Sequence, residues 1–174
     1  MNITGGKYNG RKIKSPDEKI VRPTLSKVRM GVFNTLYSLM GDYEGKSFLD
    51  MFSGSGIMGL EALSRGFERV VCFEKNKKVA EVIKSNYDSL GLAPELYIGD
   101  SLKLAEKFDE GFDVVYIDPP YMSGIYEESM KSIKKANLII LEHTEDVNFE
   151  GYNLLKQKQY GDKYITFLTP KDLV

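Results

Sequence analysis

Two short runs in this chain combine residue types and spacings that suit chemistry. The first is Phe48–Leu63, which reads FLDMFSGSGIMGLEAL. An apolar run closes on Asp50, glycines follow at Gly54, Gly56 and Gly59, and helix-forming residues come next. Glycines at that spacing let backbone bend sharply or approach a ligand closely. Glu74 closes a second apolar run, Arg69–Glu74, twenty residues after Gly54. An acid at about that distance can accept hydrogen bonds from the hydroxyls of a bound ribose. G-x-G-x-x-G alone also occurs in α/β turns that bind no nucleotide. With the strand before it, the helix after it and the acid in place, a nucleoside-type cofactor is the expectation.

The second run is Asp118-Pro119-Pro120-Tyr121, at the end of the buried-type strand Phe112–Ile117. Two prolines remove backbone N–H donors and stiffen φ, so the loop presents carbonyl acceptors. Asp118 adds a charged acceptor, and Tyr121 offers a flat face on which a base can stack. Acceptors beside a stacking face suit a planar group bearing an exocyclic NH2. Such an amine is a poor nucleophile because its lone pair is delocalised into the ring. Holding its N–H bonds toward Asp118 and a loop carbonyl aims that lone pair at an electrophile.

The elements that must position these runs follow from pattern. At 174 residues the chain is expected to hold a single core. Strands at Ser47–Phe52, Arg69–Glu74, Glu95–Ile98, Phe112–Ile117 and Asn137–Leu141 alternate with helices around Ile57–Arg65, Lys77–Leu90, Leu102–Phe108 and Glu127–Lys134. Alternation of this kind builds a parallel doubly wound sheet. Tyr152–Tyr160 and Lys163–Leu168, joined at Gly161-Asp162, add an antiparallel hairpin at its edge. Ahead of the core, Asn9-Gly10 signals a β-hairpin over Asn2–Ile13. Thr24 or Ser26 can cap a helix whose face is Leu25, Val28, Val32, Leu36 and Leu39. No apolar run approaches the length of a membrane span, and no signal-peptide core opens the chain. Cys72 is the only cysteine, so no internal disulfide forms and a cytoplasmic location is expected.

Charge divides the chain. Residues 1–30 carry eight Lys and Arg against Asp17 and Glu18, whereas residues 31–174 hold sixteen basic and twenty-three acidic side chains. A basic arm on an acidic body points to a polyanionic partner at that end. Residues 1–40 are thus expected to form a basic hairpin-and-helix extension on a body of residues 41–174.

In sequence order, FLDMFSGSG, FEKN, IGDS and DPPY resemble the successive motifs of S-adenosylmethionine-dependent methyltransferases acting on exocyclic amines. GGKYNGRKI, VRPTLSKVRMGVFNTL and GLEALSRG extend the resemblance to the RsmD family, which methylates a guanine N2 amine in 16S ribosomal RNA. The likeness covers about residues 3–135. It implies a Rossmann-like class I methyltransferase fold, with a mostly parallel seven-stranded sheet and a C-terminal antiparallel hairpin. It also implies that Asp50, Phe52, Ser53, Gly54, Ser55 and Gly56 hold the methionine part of S-adenosyl-L-methionine. Glu74 would take the ribose hydroxyls with Lys75 and Asn76 beside it, and Asp100 the adenine amine with Ser101 adjacent. The resemblance makes the extension an RNA-binding arm and the body a catalytic domain. Catalysis falls to Asp118, Pro119, Pro120 and Tyr121, and RNA contact to Arg11, Lys12, Arg22, Thr24 and Arg29. No metal is implied, and His143 is expected to be an ordinary strand-end residue. The partner is ribosomal RNA, free or within a small-subunit particle.

Three other readings compete. An adenine-N6 DNA methyltransferase also uses DPPY but usually carries a target-reading insertion for which 174 residues leave no room. A nicotinamide oxidoreductase accounts for the glycine loop and Glu74 but gives DPPY no task. A non-catalytic RNA-binding assembly factor could retain a cofactor fold.

Overall fold

The computed structural model describes residues 1–19 and 24–171. A seven-stranded sheet runs in the order β3-β2-β1-β4-β5-β7-β6. β1 (Ser47–Asp50), β2 (Arg69–Glu74), β3 (Glu95–Ile98), β4 (Phe112–Ile117) and β5 (Ala136–His143) are parallel to one another. β6 (Tyr152–Tyr160) and β7 (Lys163–Pro170) close the edge as an antiparallel pair. β1 and β4 lie side by side although two strands separate them in sequence, so strand order reverses between them. Ligands in such sheets bind at that switch point, beyond the strands' carboxyl ends.

Alternating side chains along the strands feed two cores. Phe48, Val70, Cys72, Val114, Tyr116 and Ile140 point to one face, and Leu49, Val71, Val115, Ile139 and Leu141 to the other. The second face is covered by α4 (Ser101–Lys107) and α5 (Ile125–Ser132). On the first face, α2 (Ile57–Ser64) and α3 (Lys77–Asp88) cover β1 and β2. The chain supplies no helix between β5 and β6 to cover the rest. α1 (Ser26–Met40) takes that place, with Val28, Val32, Phe33 and Leu36 buried in the same core as Ile165 and Phe167. Phe33 stacks on Phe48 with ring centroids 6.0 Å apart. Each such side chain contributes about 1.5–3 kcal/mol by leaving water. Ile3 and Ile13 of the arm join them, so the extension shares the core of the body.

Two expectations for the extension are corrected. The helix is preceded by Leu25 with no side-chain cap, and Leu25 and Leu39 are exposed rather than buried. The arm does turn back on itself as expected, but its regular pairing is short: one antiparallel bridge joins Asn2 and Lys12, flanked by Ile3 N donating to the Arg11 carbonyl and Ile13 N to the Met1 carbonyl. Its intervening loop sits on the end of α2, where Lys7 N donates to the Ser64 carbonyl and Tyr8 N to the Ser64 hydroxyl, both at 2.8 Å. The tip of the loop is therefore turned onto α2, which leaves only the residues flanking the bridge to pair across the arm. Gly6 makes this possible. Its φ is +76°, and a Cβ there would fall 1.9 Å from the Ser64 carbonyl oxygen.

Candidate active site

Asp50, Glu74 and Asp100 stand at the carboxyl ends of three neighbouring strands. The loop after β1 is stitched to both sides of the switch point. Met51 N donates to the Tyr116 carbonyl at 3.0 Å, and Ser53 N to the Phe73 carbonyl at 2.9 Å. Gly56 has φ +83°, and a Cβ added to it would lie 3.2 Å from Ile83, so the turn is both left-handed and closely covered. Glu74 braces this loop. Its carboxylate accepts from Gly54 N at 3.0 Å through one oxygen and from Asn76 N at 2.8 Å through the other. Each oxygen keeps a further lone pair for a ligand. The Asn76 side chain caps α3 by accepting from Lys78 N and Val79 N, while Lys75 points to solvent. Asp100 caps α4 by accepting from Lys103 N at 3.1 Å, and Ser101 beside it is buried. Phe52 is half-buried against the second core.

Asp50 is the unusual member. It is 1% exposed, and neither carboxylate oxygen has a hydrogen-bond partner at good geometry. Burial first, then the Glu74 charge, pushes its pKa up to about 7, partly offset by the nearby Gly59 N–H and Ser53 hydroxyl. A buried carboxylate left so is suited to a cation brought by a ligand.

Across the switch point, Asp50 is in register with Tyr116, two residues before Asp118. The catalytic candidates therefore open onto the same end of the sheet as the glycine loop. Asp118 and Pro119 are half-buried, Pro120 is exposed, and Tyr121 is 67% exposed, its ring free to meet a flat ligand. Burial of the strand Phe112–Ile117 beneath them gives this loop a rigid base.

The arm divides. Arg11 and Lys12 are exposed, with Arg11 donating to the Ser89 carbonyl at 2.9 Å. Thr24 is half-buried, and Arg22 lies outside the described residues. Arg29 is not available to RNA, which corrects the expectation for it. Its guanidinium is 1% exposed, paired with Glu61, and donates to the carbonyls of Thr24 and Asn2.

Two residues near the site have no sequence signal. Asn86 is buried in α3, where its amide exchanges hydrogen bonds with the Lys14 backbone and donates to the Ser55 carbonyl, all at 2.9 Å. It thereby ties the arm to the glycine loop. His143 ends β5, as expected, and is buried there with both ring nitrogens bonded. Among the described residues no group of His, Cys, Asp or Glu could hold a metal ion. A cavity of about 300 Å³ lies elsewhere, where Gly6 and Arg65 meet Phe33, Tyr37 and Tyr43. Its one charged group, Arg65, is already committed to Glu61 and Thr4.

Known proteins repeat this arrangement. The family model described as conserved hypothetical protein 95 matches residues 1–169. YlbH of Bacillus subtilis is 32% identical over 159 residues, 84% of each chain. Ribosomal RNA small subunit methyltransferase D of Escherichia coli K12 is 32% identical over 136 residues, 77% of this chain and 67% of that one. The solved structure of E. coli YhhF superimposes with a TM-score of 0.84 at 25% identity, covering 98% of this chain and 97% of the other. The chain belongs to the conserved hypothetical protein 95 family, to which the RsmD rRNA methyltransferases belong, and has their Rossmann-like fold.

Proposed function

We propose that this protein transfers a methyl group from S-adenosylmethionine to the exocyclic N2 amine of a guanine in small-subunit ribosomal RNA. The observation that carries this reading is the juxtaposition, on adjacent strands, of a glycine loop that starts from a buried carboxylate and an Asp-Pro-Pro-Tyr loop. Asp50 fits the cationic amino-acid end of that cofactor, Glu74 its ribose, and Asp100 its adenine amine. The cofactor supplies a methyl group on a positively charged sulfur. The relatives named for rRNA methylation support an RNA substrate.

The chain's own residues then do the rest by positioning. Asp118 and the Pro119 carbonyl accept the two N–H bonds of the target amine, which turns its lone pair toward the methyl carbon. Tyr121 stacks on the base. Transfer would leave the carbon–sulfur electron pair with the departing thioether, and the attacking nitrogen would have one proton to shed. Asp118 already accepts an N–H from that nitrogen and passes the proton toward solvent. The base has to leave its stack to reach this site, which costs least in a loop or junction of RNA.

Labelled methyl transfer to small-subunit rRNA from cells lacking the protein tests the reading. Wild type should label a single guanine. Asp118→Ala should abolish most transfer with cofactor affinity nearly unchanged, and Tyr121→Ala should lower it by about 1–3 kcal/mol, the worth of base stacking. Transfer to DNA adenine, or tight NADH binding, overturns it.

A further inference from the structure

β5 runs parallel to β4 with Leu141 opposite Ile117, so the residues following the two strands emerge side by side. Glu145 leaves the sheet there, beside the Asp-Pro-Pro-Tyr loop, and its backbone is fixed from within. His143 Nδ1 lies 2.7 Å from the Glu145 carbonyl, which can only accept, so Nδ1 carries the proton. Nε2 therefore accepts from the Thr166 hydroxyl at 2.8 Å, and that hydroxyl accepts from the Gln157 amide at 2.8 Å. The imidazole also stacks on Tyr164, with centroids 5.6 Å apart. Thr144 N donates to the Tyr126 hydroxyl at 3.3 Å, fixing the loop from its other side. At the surface, the Tyr121 hydroxyl lies beside the Glu145 carboxylate. A buried polar chain thus fixes the Glu145 backbone, and its exposed carboxylate lies at the edge of the stacking ring.

We propose that Glu145 selects guanine by accepting the N1–H of the base whose N2 amine Asp118 holds. The inference rests on the methyltransferase reading above. Guanine presents N1–H and N2–H donors side by side, whereas adenine presents a bare N1 acceptor next to its amine. An ionised carboxylate accepts about four hydrogen bonds, so the neighbouring Tyr121 hydroxyl leaves acceptor capacity for a ligand. Asp118 and Glu145 together therefore match a donor–donor edge. An N1 lone pair turned toward Glu145 meets repulsion and leaves the carboxylate without its partner. Among the described residues Glu145 forms no ion pair that would mask its charge.

The test uses 2-aminopurine, which keeps the N2 amine but has an acceptor at N1. The full-length protein and labelled cofactor are offered rRNA carrying either guanine or 2-aminopurine at the position that wild type labels. Wild type should prefer guanine by roughly 10–100-fold, the range for a hydrogen bond to a charged group. Glu145→Gln, whose amide can donate to N1, should narrow or invert that ratio, and Glu145→Ala should narrow it through the guanine rate. Tyr121→Phe keeps the ring, drops the hydroxyl beside Glu145 and should retain the guanine preference. A wild-type ratio in both folded Glu145 variants, or a Tyr121→Phe ratio shifted as far as theirs, overturns the proposal. If wild type labels no guanine at all, the methyltransferase reading fails and this one with it.

Discussion

The Arg29 guanidinium and the Glu61 carboxylate meet inside the protein, 3.4 Å apart, with side chains 1% and 0% exposed. Arg29 belongs to α1 and Glu61 to α2, and the pair gathers three segments around itself. Glu61 also accepts from Arg65 at 3.1 Å and from the Thr4 amide at 2.7 Å. The other guanidinium nitrogens reach the Thr24 and Asn2 carbonyls and the Ser26 hydroxyl. Desolvation alone would make such a pair costly; the added hydrogen bonds are what offset it.

Truncating one partner leaves the other buried and uncompensated. Arg29→Ala should therefore destabilise the fold by about 3–5 kcal/mol. Arg29→Lys should recover only part of this, because an ammonium cannot span three segments with a planar fork. Urea denaturation of both variants checks it. Stability within 1 kcal/mol of wild type for Arg29→Ala would reduce the pair to a by-product of packing.

Asp50 should make cofactor binding depend on pH. Its pKa is raised in the fold to about 7, so between pH 4 and 7 the native protein holds a proton that the unfolded chain has lost. Stability consequently falls as pH rises through that window and levels off above it. A cationic ligand group requires the ionised form, so affinity should run the other way. It should rise by up to tenfold per unit from pH 5 toward 7 and flatten beyond. Asp50→Asn should bind weakly with no slope in this range. Calorimetry across pH decides the matter, and a flat wild-type profile would remove Asp50 from the cofactor's cationic end.

Glu74 does two jobs, so its removal should cost more than one hydrogen bond. Glu74→Ala loses the ribose acceptor, worth about 1.5–3 kcal/mol, and also releases Gly54 N and Asn76 N. Glu74→Gln keeps one acceptor oxygen and should lie between Ala and wild type. Equal affinities for all three proteins would place the ribose elsewhere.

Local patterns made much of the molecule legible. β2, β3 and β4 begin and end where apolar runs meet glycine, proline or charge, because those boundaries are written in adjacent residues. The glycine loop and the acids at the strand ends were equally visible, because short-range spacing ties them to those ends. α1 was less so. A 3.6-residue pattern counts Leu25 and Leu39 with the core, but both are exposed while Phe33 is buried. Arg29 carries the charge of a surface arm, and only its partner 32 residues later explains its burial. Glu145 and His143 gain their roles from Thr166, Gln157 and Tyr121, three contacts that no local spacing encodes.

The remaining exposed cations of the arm give the last prediction. The body is acidic, so a phosphate backbone approaching it alone meets net repulsion. Arg11 and Lys12 stand out from the bridge that begins the arm, and Asn86 holds Lys14, two residues on, against the glycine loop. RNA held by Arg11 and Lys12 would thereby be kept close to the catalytic mouth. Phosphate contacts by such side chains release counterions, which makes affinity fall steeply with salt. Arg11→Ala/Lys12→Ala gives up only one exposed hydrogen bond to the Ser89 carbonyl, so it should fold and bind cofactor normally. Its RNA affinity should fall, and the slope of log affinity against log salt should become shallower by about 1–2. Binding measured at several salt concentrations checks this. An unchanged slope and affinity would mean that RNA docks elsewhere and that these two side chains serve only to solvate the arm.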